Sequence, residues 1–499
     1  MTALLEYSDQ FRAPIWMVAL RLAVVLIVAW IIGVLIARRK PQSPPDTNKP
    51  DYKSYVIFLA AVGWIALFGF GMLRHLTFHS KAWDLAIFDQ VIWNLANGNG
   101  WQCSVRGVQD LRGDHFEPIL LLFVPIYRIL PHVGWLLAAQ AAALVGAGMI
   151  FWSTYRARIG EHSAFIFFLA FMLFPPIHWL SIADFHPIAL APFFIAIGWW
   201  GRERQKLWAF LLGLIGLVCC GEEGFIVAGW WCLWEFAVKK GQMQTRLPYA
   251  LLAILFWAGF VYLSAVYIPA YRSEGEGYFY IHRYAYLGHT LPDIARNFFI
   301  KPWLWIKHLV DSRSLALLAL YLVPLGLLPL KRPKYLALLI PTLLYTLLSE
   351  SPEQKSIFHQ YTAMWIPFLM IATAEALTPL DNRRKRAVPA SAPLYAPVYA
   401  LVSAPVSAPL YALLIASILG FLAFSPLFGL SMHPELFHPE PWAGEAKGII
   451  RTVLPDEPIS APSALCPHLS HRQVLLLQPN VLWPGADNIT ILPQFPPQE

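Results

Sequence analysis

The chain has 499 residues; 57% are hydrophobic, 15% are aromatic and only 13% are charged. A soluble domain of this length needs far more charge to cover its surface, so the composition excludes one and implies a multi-pass helical membrane protein. The net charge of +7 implies no nucleic-acid partner, because Lys and Arg gather at the ends of apolar runs, as expected of cytoplasmic loops.

Residues 15–37 form the first apolar run. It is too long for the core of a cleavable signal and ends at Arg38-Arg39-Lys40 rather than at small residues. Arg21 inside it is expected to snorkel or to pair with a neighbouring helix. The basic, Pro-rich linker that follows is placed in the cytoplasm, making 1–54 an N-terminal span and linker. Residues 55–73 return outward and open a transmembrane core, 55–380.

The first exterior loop, 74–132, contains the first long polar stretch, 81–118, with Asp84, Asp89, Arg106, Asp110, Arg112, Asp114, His115 and Glu117. Within it, 85–97 predicts an amphipathic helix. Phe88, Val91, Ile92 and Leu95 share one side, Asp89, Gln90, Asn94 and Asn97 the other, and Asn97-Gly98 stops it. Asp84 at its start either caps the helix or serves catalysis. Asp89 lies about 140° from Asp84 on an ideal helix, which argues against a close carboxylate pair. A solvated helix face accounts for Asp89. Residues 119–130, broken by Pro125, read as a surface or re-entrant piece.

Apolar runs then alternate with basic clusters. Spans at 133–152, 188–200, 225–238, 315–330 and 362–377 run inward, and those at 164–182, 207–220, 247–268 and 335–348 run outward. Residues 269–314 form a second exterior loop, rich in Tyr, His, Arg and Glu. After the basic cluster Arg383-Arg384-Lys385-Arg386, 381–430 is an Ala/Pro/Ser/Tyr-rich linker and the last span, 410–428. About twelve spans result, with both termini outside. Residues 431–499 change character and read as a small exterior α/β appendage. Cys103 and Cys466 fall on one side, leaving a disulfide open; no cysteine has metal-site spacing.

With orientation set by Lys and Arg alone, the acids and histidines fall on one exterior face. Asp114, His115 and Glu117 are either loop polarity or ligands for a divalent cation or a phosphate-bound water. Asp184 and His186 flank Phe185 before Pro187, as in a helix break lining a cavity or a structural bend. Glu222-Glu223 at a span end is costly without a partner. Arg272, Arg283 and Lys355 either anchor headgroups or bind phosphate. His359 opens a span and either anchors it or faces the site.

The segments WDLAIFDQVIWN, GDHFEPILLLFVPIY, ADFHP, GEEG and PHLSHR, in this order over residues 83–472, resemble a family of bacterial integral membrane proteins classed as a domain of unknown function. That family is in turn similar to the GT-C glycosyltransferases, such as the protein O-mannosyltransferases and the lipid A aminoarabinose transferase. The resemblance implies a GT-C-like fold in the plasma (inner) membrane and transfer of a sugar from a polyprenyl-phosphate carrier to an acceptor on the non-cytoplasmic face. It places Asp84 where those enzymes carry the acid of their first exterior loop. Leu85 stands where an adjacent acid is often found, so the base stays open between Asp84 and Asp89. Arg272, Arg283 or Lys355 would take the phosphate charge, with Asp114, His115, Glu117, Asp184, His186, Glu222, Glu223 and His359 around the substrate. No cofactor is implied beyond the divalent cation. The competing reading is a transporter or flippase for a lipid-linked or small polar substrate. The lack of an internal repeat and the one-sided charges favour the enzyme.

Overall fold

In lipid every backbone N–H must find its acceptor within its own segment, which makes helices of the apolar runs. The computed structural model describes residues 5–38, 51–105, 110–272, 277–378, 407–455 and 457–478. The linker after Arg38, Arg106, the basic and low-complexity stretch through 406, and the chain beyond 478 lie outside the described residues.

Among the described residues four helices are long and apolar enough to cross a membrane: Ile15–Arg38, Tyr52–Leu76, Gly134–Ile159 and Met243–Tyr271. Two bent pairs bring the number to six. Glu161–Met172 meets Pro175–Ile182 at 44°, and Pro302–Leu309 meets Ser312–Leu325 at 51°. Prolines divide several of the apolar runs into shorter helices: Pro175, Pro187, Pro192, Pro302, Pro333 and Pro341 each sit in a first helical turn.

Gly134–Ile159 is the central helix, flanked by Tyr52–Leu76, Glu161–Met172 and Ala191–Glu203. Ala191–Glu203 and Leu207–Val218 pack through Gly198 and Gly213, where a Cβ on Gly213 would lie 2.4 Å from the Gly198 Cα. Ile15–Arg38 lies at the periphery against Ser407–Phe424. Arg21 pairs as expected of a cation in an apolar helix, with Nη1 donating to the Phe11 carbonyl at 3.0 Å and reaching the Ala423 carbonyl at 3.4 Å.

One end of the bundle is closed by an ion network. Arg158 grips Glu375 with both guanidinium nitrogens, at 2.7 and 2.9 Å, and reaches Glu203 at 2.8 Å. Arg202 bonds Glu235 at 2.8 Å and Glu203, while Arg332 donates to the Glu375 and Thr378 carbonyls. Four helices end there: Gly134–Ile159, Ala191–Glu203, Glu223–Val238 and Trp365–Leu377.

At the other end, a π-helical turn Ala82–Ala86 runs into the α-helix Ile87–Ala96, and Gly98 leaves it at φ +84°. The helix stands where the apolar periodicity puts it, but its polar side is not solvated. Asp89, Gln90 and Asn94 are buried, covered by residues from the C-terminal region. There the helix Ala443–Thr452, two parallel three-residue strands, Ile459–Ala461 and Leu475–Leu477, and the 3-10 turn Cys466–His468 follow Pro434–Phe437 among the described residues. Ser104 accepts from Leu475 N at 2.7 Å and donates to its carbonyl at 2.9 Å, joining this region to the loop. Cys103 and Cys466 are both buried and not bridged to each other.

At Gly33 a Cβ would come 2.8 Å from Ala412 N and 3.0 Å from the Ala408 carbonyl, whereas at Gly69 it meets nothing within 4 Å. Gly33→Val should therefore cost roughly 1–3 kcal/mol and lower the melting temperature in detergent. Gly69→Ala should not lower it; equal loss in both variants would refute the close helix contact.

Candidate functional site

The site is built from the loop that follows helix Ile87–Ala96, the turn before Glu223–Val238 and the 3-10 turn Phe279–Tyr284. Glu222 is fully buried, a position that demands donors. It has three: His115 Nδ1 at 2.9 Å, Phe116 N at 3.1 Å and the Tyr278 hydroxyl at 2.8 Å. On the far side of the imidazole, the Tyr280 hydroxyl lies 2.7 Å from His115 Nε2 and donates to Asp114 Oδ1 at 2.9 Å. The Tyr280 and His115 rings stack 4.7 Å apart. Burial alone would lower the His115 pKa, but Glu222 and Asp114 outweigh it and hold the imidazole well above its ordinary range. Glu117 is buried beside them; desolvation, opposed by His115 and reinforced by Glu222 and Asp114, holds its carboxyl well above the usual range. The ligand atoms of His115, Glu222 and Glu223 all lie within 4.8 Å of one another.

Arg283 carries the cluster toward Asp84. Its guanidinium lies over the Tyr280 and Tyr361 rings, 4.4 and 5.1 Å from their centroids, and reaches the Tyr361 hydroxyl at 3.4 Å. Its charge acts on Glu223. Burial raises the Tyr361 pKa, Arg283 opposes the rise, and the Asp84 carboxylate adds to it. Asp84 thus stands within electrostatic reach of Tyr361, half-buried in the π-helical turn. Its side chain caps no helix; Lys81 and Ala86 hold the two cap positions. Arg272 donates to the Gly113 carbonyl at 3.1 Å beside Asp114.

The remaining candidates are held elsewhere. Asp89 is enclosed by Tyr127, which donates to Oδ1 at 2.6 Å, and by Ser470, which donates to Oδ2. His471 Nε2 lies 3.0 Å from Oδ2, an ion-pair distance without hydrogen-bond alignment. Asp184 is bound by Arg74 and accepts from Lys81 N at 2.8 Å, fastening the start of the loop to helix Tyr52–Leu76. His186 packs edge-on to Phe88 at 5.0 Å and approaches the His115 ring at 6.3 Å. Lys355 is buried against Asp311 at 2.5 Å. His359 pairs with Glu6 on the N-terminal helix Leu5–Gln10 at 3.3 Å. Sequence reasoning passed over Tyr278, Tyr280 and Tyr361, and the pairing of Ser470 and His471 with Asp89. The signals lay in the tyrosine-rich YFYIHRY and in PHLSHR.

The helical architecture that carries this cluster is similar in fold to a solved membrane protein, ArnT. ArnT from Cupriavidus metallidurans bound to undecaprenyl phosphate superposes with a TM-score of 0.51 at 14% identity, over 89% of this chain and 88% of ArnT. The apo form of ArnT gives 0.50 at 14% identity, over 86% of each chain. A family model described as a predicted membrane protein, DUF2079, matches residues 74–498, and the chain belongs to that family. No curated protein matches.

The Asp89 clamp has a pH signature. Burial raises the Asp89 pKa, but His471, Ser470 and Tyr127 more than offset it and hold the carboxyl below the usual aspartate range. Burial lowers His471, and Asp89 more than reverses that, holding it above the usual histidine range. The pair therefore stabilises fully above about pH 4 and below about pH 6.5. Stability is lost as pH falls through the lowered Asp89 value, and also as pH rises through the raised His471 value. Asp89→Asn should cost about 2–3 kcal/mol inside that window, discounted because His471 is partly exposed, and less at alkaline pH. A melting-temperature difference from wild type that does not change with pH would refute the clamp.

Proposed function

We propose that this protein is a membrane glycosyltransferase. It transfers a sugar from a polyprenyl-phosphate carrier to an acceptor on the non-cytoplasmic face of the plasma (inner) membrane. The observation that carries the reading is that an acid and a cation act on the same tyrosine: the Arg283 guanidinium reaches the Tyr361 hydroxyl at 3.4 Å, and the Asp84 carboxylate acts on Tyr361 electrostatically. Transfer from a lipid phosphate needs both. A base takes the proton of the acceptor hydroxyl as its oxygen attacks the anomeric carbon. The bond from that carbon to the phosphate oxygen breaks, and a cation receives the charge left on the phosphate.

Asp84 is the base in this scheme, since Asp89 is enclosed by three partners. Arg283 takes the leaving phosphate, with Arg272 beside it. Lys355, neutralised by Asp311, sits behind the phosphate site rather than in it. Asp114, His115, Glu222 and Glu223 line the pocket for the sugar, with Tyr278 and Tyr280 fixing their geometry; Glu117 and His186 lie behind them. Asp184 holds the start of the loop, and His359 ties its own segment to the N-terminal helix through Glu6. The shorter apolar helices complete about twelve crossings, with both termini outside and 431–478 on the exterior face. Undecaprenyl phosphate bound to ArnT supports a polyprenyl-phosphate partner. Charges gathered at the two ends, rather than near the middle of the bundle, weigh against a transporter.

Asp84→Asn should leave expression and insertion unchanged and lower turnover by about 10²- to 10⁴-fold. Arg283→Gln should weaken use of the lipid-phosphate donor. Lipidomics of membranes expressing wild type or each variant in a strain lacking the native protein would show the donor accumulating in both variants. An Asp84→Asn strain with a wild-type lipid profile would overturn the proposal.

A further inference from the structure

The hydrogen-bond directions around His115 fix what its Nδ1 can face. Tyr280 has one hydroxyl proton, and it goes to Asp114 Oδ1. The 2.7 Å contact between the Tyr280 hydroxyl and His115 Nε2 therefore has the imidazole as donor. Nδ1 then carries either a second proton or a bare lone pair, and it faces Glu222 Oε1 at 2.9 Å. A lone pair opposite a carboxylate at that distance is repulsive, so a positive centre belongs between them, either a proton or a metal ion.

Geometry and charge favour the ion. The ligand atoms of His115, Glu222 and Glu223 lie within 4.8 Å of one another. A tetrahedral zinc holds its ligands about 3.3 Å apart, so a bound ion would part Nδ1 and Oε1 by a few tenths of an ångström from their present 2.9 Å. Glu117, 4% exposed, has an Oε2 with no hydrogen-bond partner among the described residues, and its charge acts on this same group. The guanidinium of Arg283 acts on Glu223. Glu117, Glu222 and Glu223 crowd three carboxyl groups around one imidazole in a buried volume, with Arg283 as the facing guanidinium, an acid-rich setting that a divalent cation complements.

We propose that His115, Glu222 and Glu223 bind a divalent transition-series cation, zinc or manganese, with Glu117 facing it and Tyr280 and Asp114 orienting the imidazole from behind. A nitrogen ligand among carboxylates selects these ions over calcium and magnesium, which take oxygen alone. The site lies inside the one assigned to sugar transfer, but metal content is read without turnover. An empty site leaves that assignment standing, and a loaded site in an inert protein leaves this one standing.

The test uses the full-length protein in detergent, purified without chelator, with metal content read by elemental mass spectrometry. About one equivalent of zinc or manganese per chain is expected. Dialysis against EDTA should remove it and lower the melting temperature, and adding back zinc or manganese alone should restore both. Glu223→Gln and His115→Ala should lose affinity by more than about 10-fold, and Tyr280→Phe by about 10- to 100-fold, the scale of losing an orienting partner. Glu435→Gln, at the distant Arg12 pair, should bind as wild type. If the site variants do not fold, wild type decides: cobalt added to the stripped protein should give the visible absorption of a low-coordinate ion with a nitrogen ligand. Less than about a tenth of an equivalent of either metal, with a melting temperature indifferent to EDTA, would overturn the proposal and leave His115 as an imidazolium. Unchanged binding in both Glu223→Gln and His115→Ala would overturn it as well.

Discussion

The architecture at the site end depends on the burial of a single carboxylate. Asp89 is 1% exposed, and an ionised aspartate taken out of water is tolerated only with several donors around it. Tyr127 and Ser470 come from different parts of the chain to supply them, and His471, next to Ser470, lies at ion-pair distance. Gln90, one residue on, donates to Ser104 at 2.8 Å and to the Arg472 carbonyl at 3.0 Å. Helix Ile87–Ala96 is therefore pinned through its polar side, and the π-helical turn that presents Asp84 is pinned with it. π-turns of this sort recur at functional sites because the extra residue redirects the side chains of one turn.

The two ends of the bundle use charge differently. At one end arginines and glutamates pair closely, Arg158 with Glu375 and Arg202 with Glu235, while Trp199 and Trp234 lie under the Arg202 guanidinium at 4.8 and 5.3 Å. Such pairing knits helix ends. At the other end carboxylates outnumber nearby cations, and tyrosines supply most of the hydrogen bonds. A phenol donates one proton without bringing a formal charge, so it satisfies an acid while leaving the local field negative. That is the electrostatic setting for a site that handles cations or polar hydroxyls.

Membrane class, the helix after Asp84 and the grouping of Asp114, His115 and Glu222 could be read from the sequence. Composition and helical period report burial and direction, and both are local properties. What stayed hidden is pairing at long range. Asp89 looks like a solvated helix position because its apolar neighbours lie on the opposite side. Nothing local says that Ser470, 381 residues away, covers it. Lys355 reads as a headgroup anchor or phosphate ligand and His359 as a span anchor or site residue because their partners, Asp311 and Glu6, lie in separate elements. Hydropathy likewise counts apolar stretches without telling a crossing helix from two half-helices meeting at a proline, as Glu161–Met172 meets Pro175–Ile182.

The order in which these pieces leave the ribosome has a consequence for biogenesis. Helix Ile87–Ala96 is made early, and the serine and histidine that close over its aspartate come near the end of the chain. During translation Asp89 must stay hydrated or wait beside Tyr127 alone. A truncated product that inserts every helix but stops before Ser470 would hold its apolar framework with the loop unlatched. The last part of the described chain to be made is thus the part that closes over Asp89.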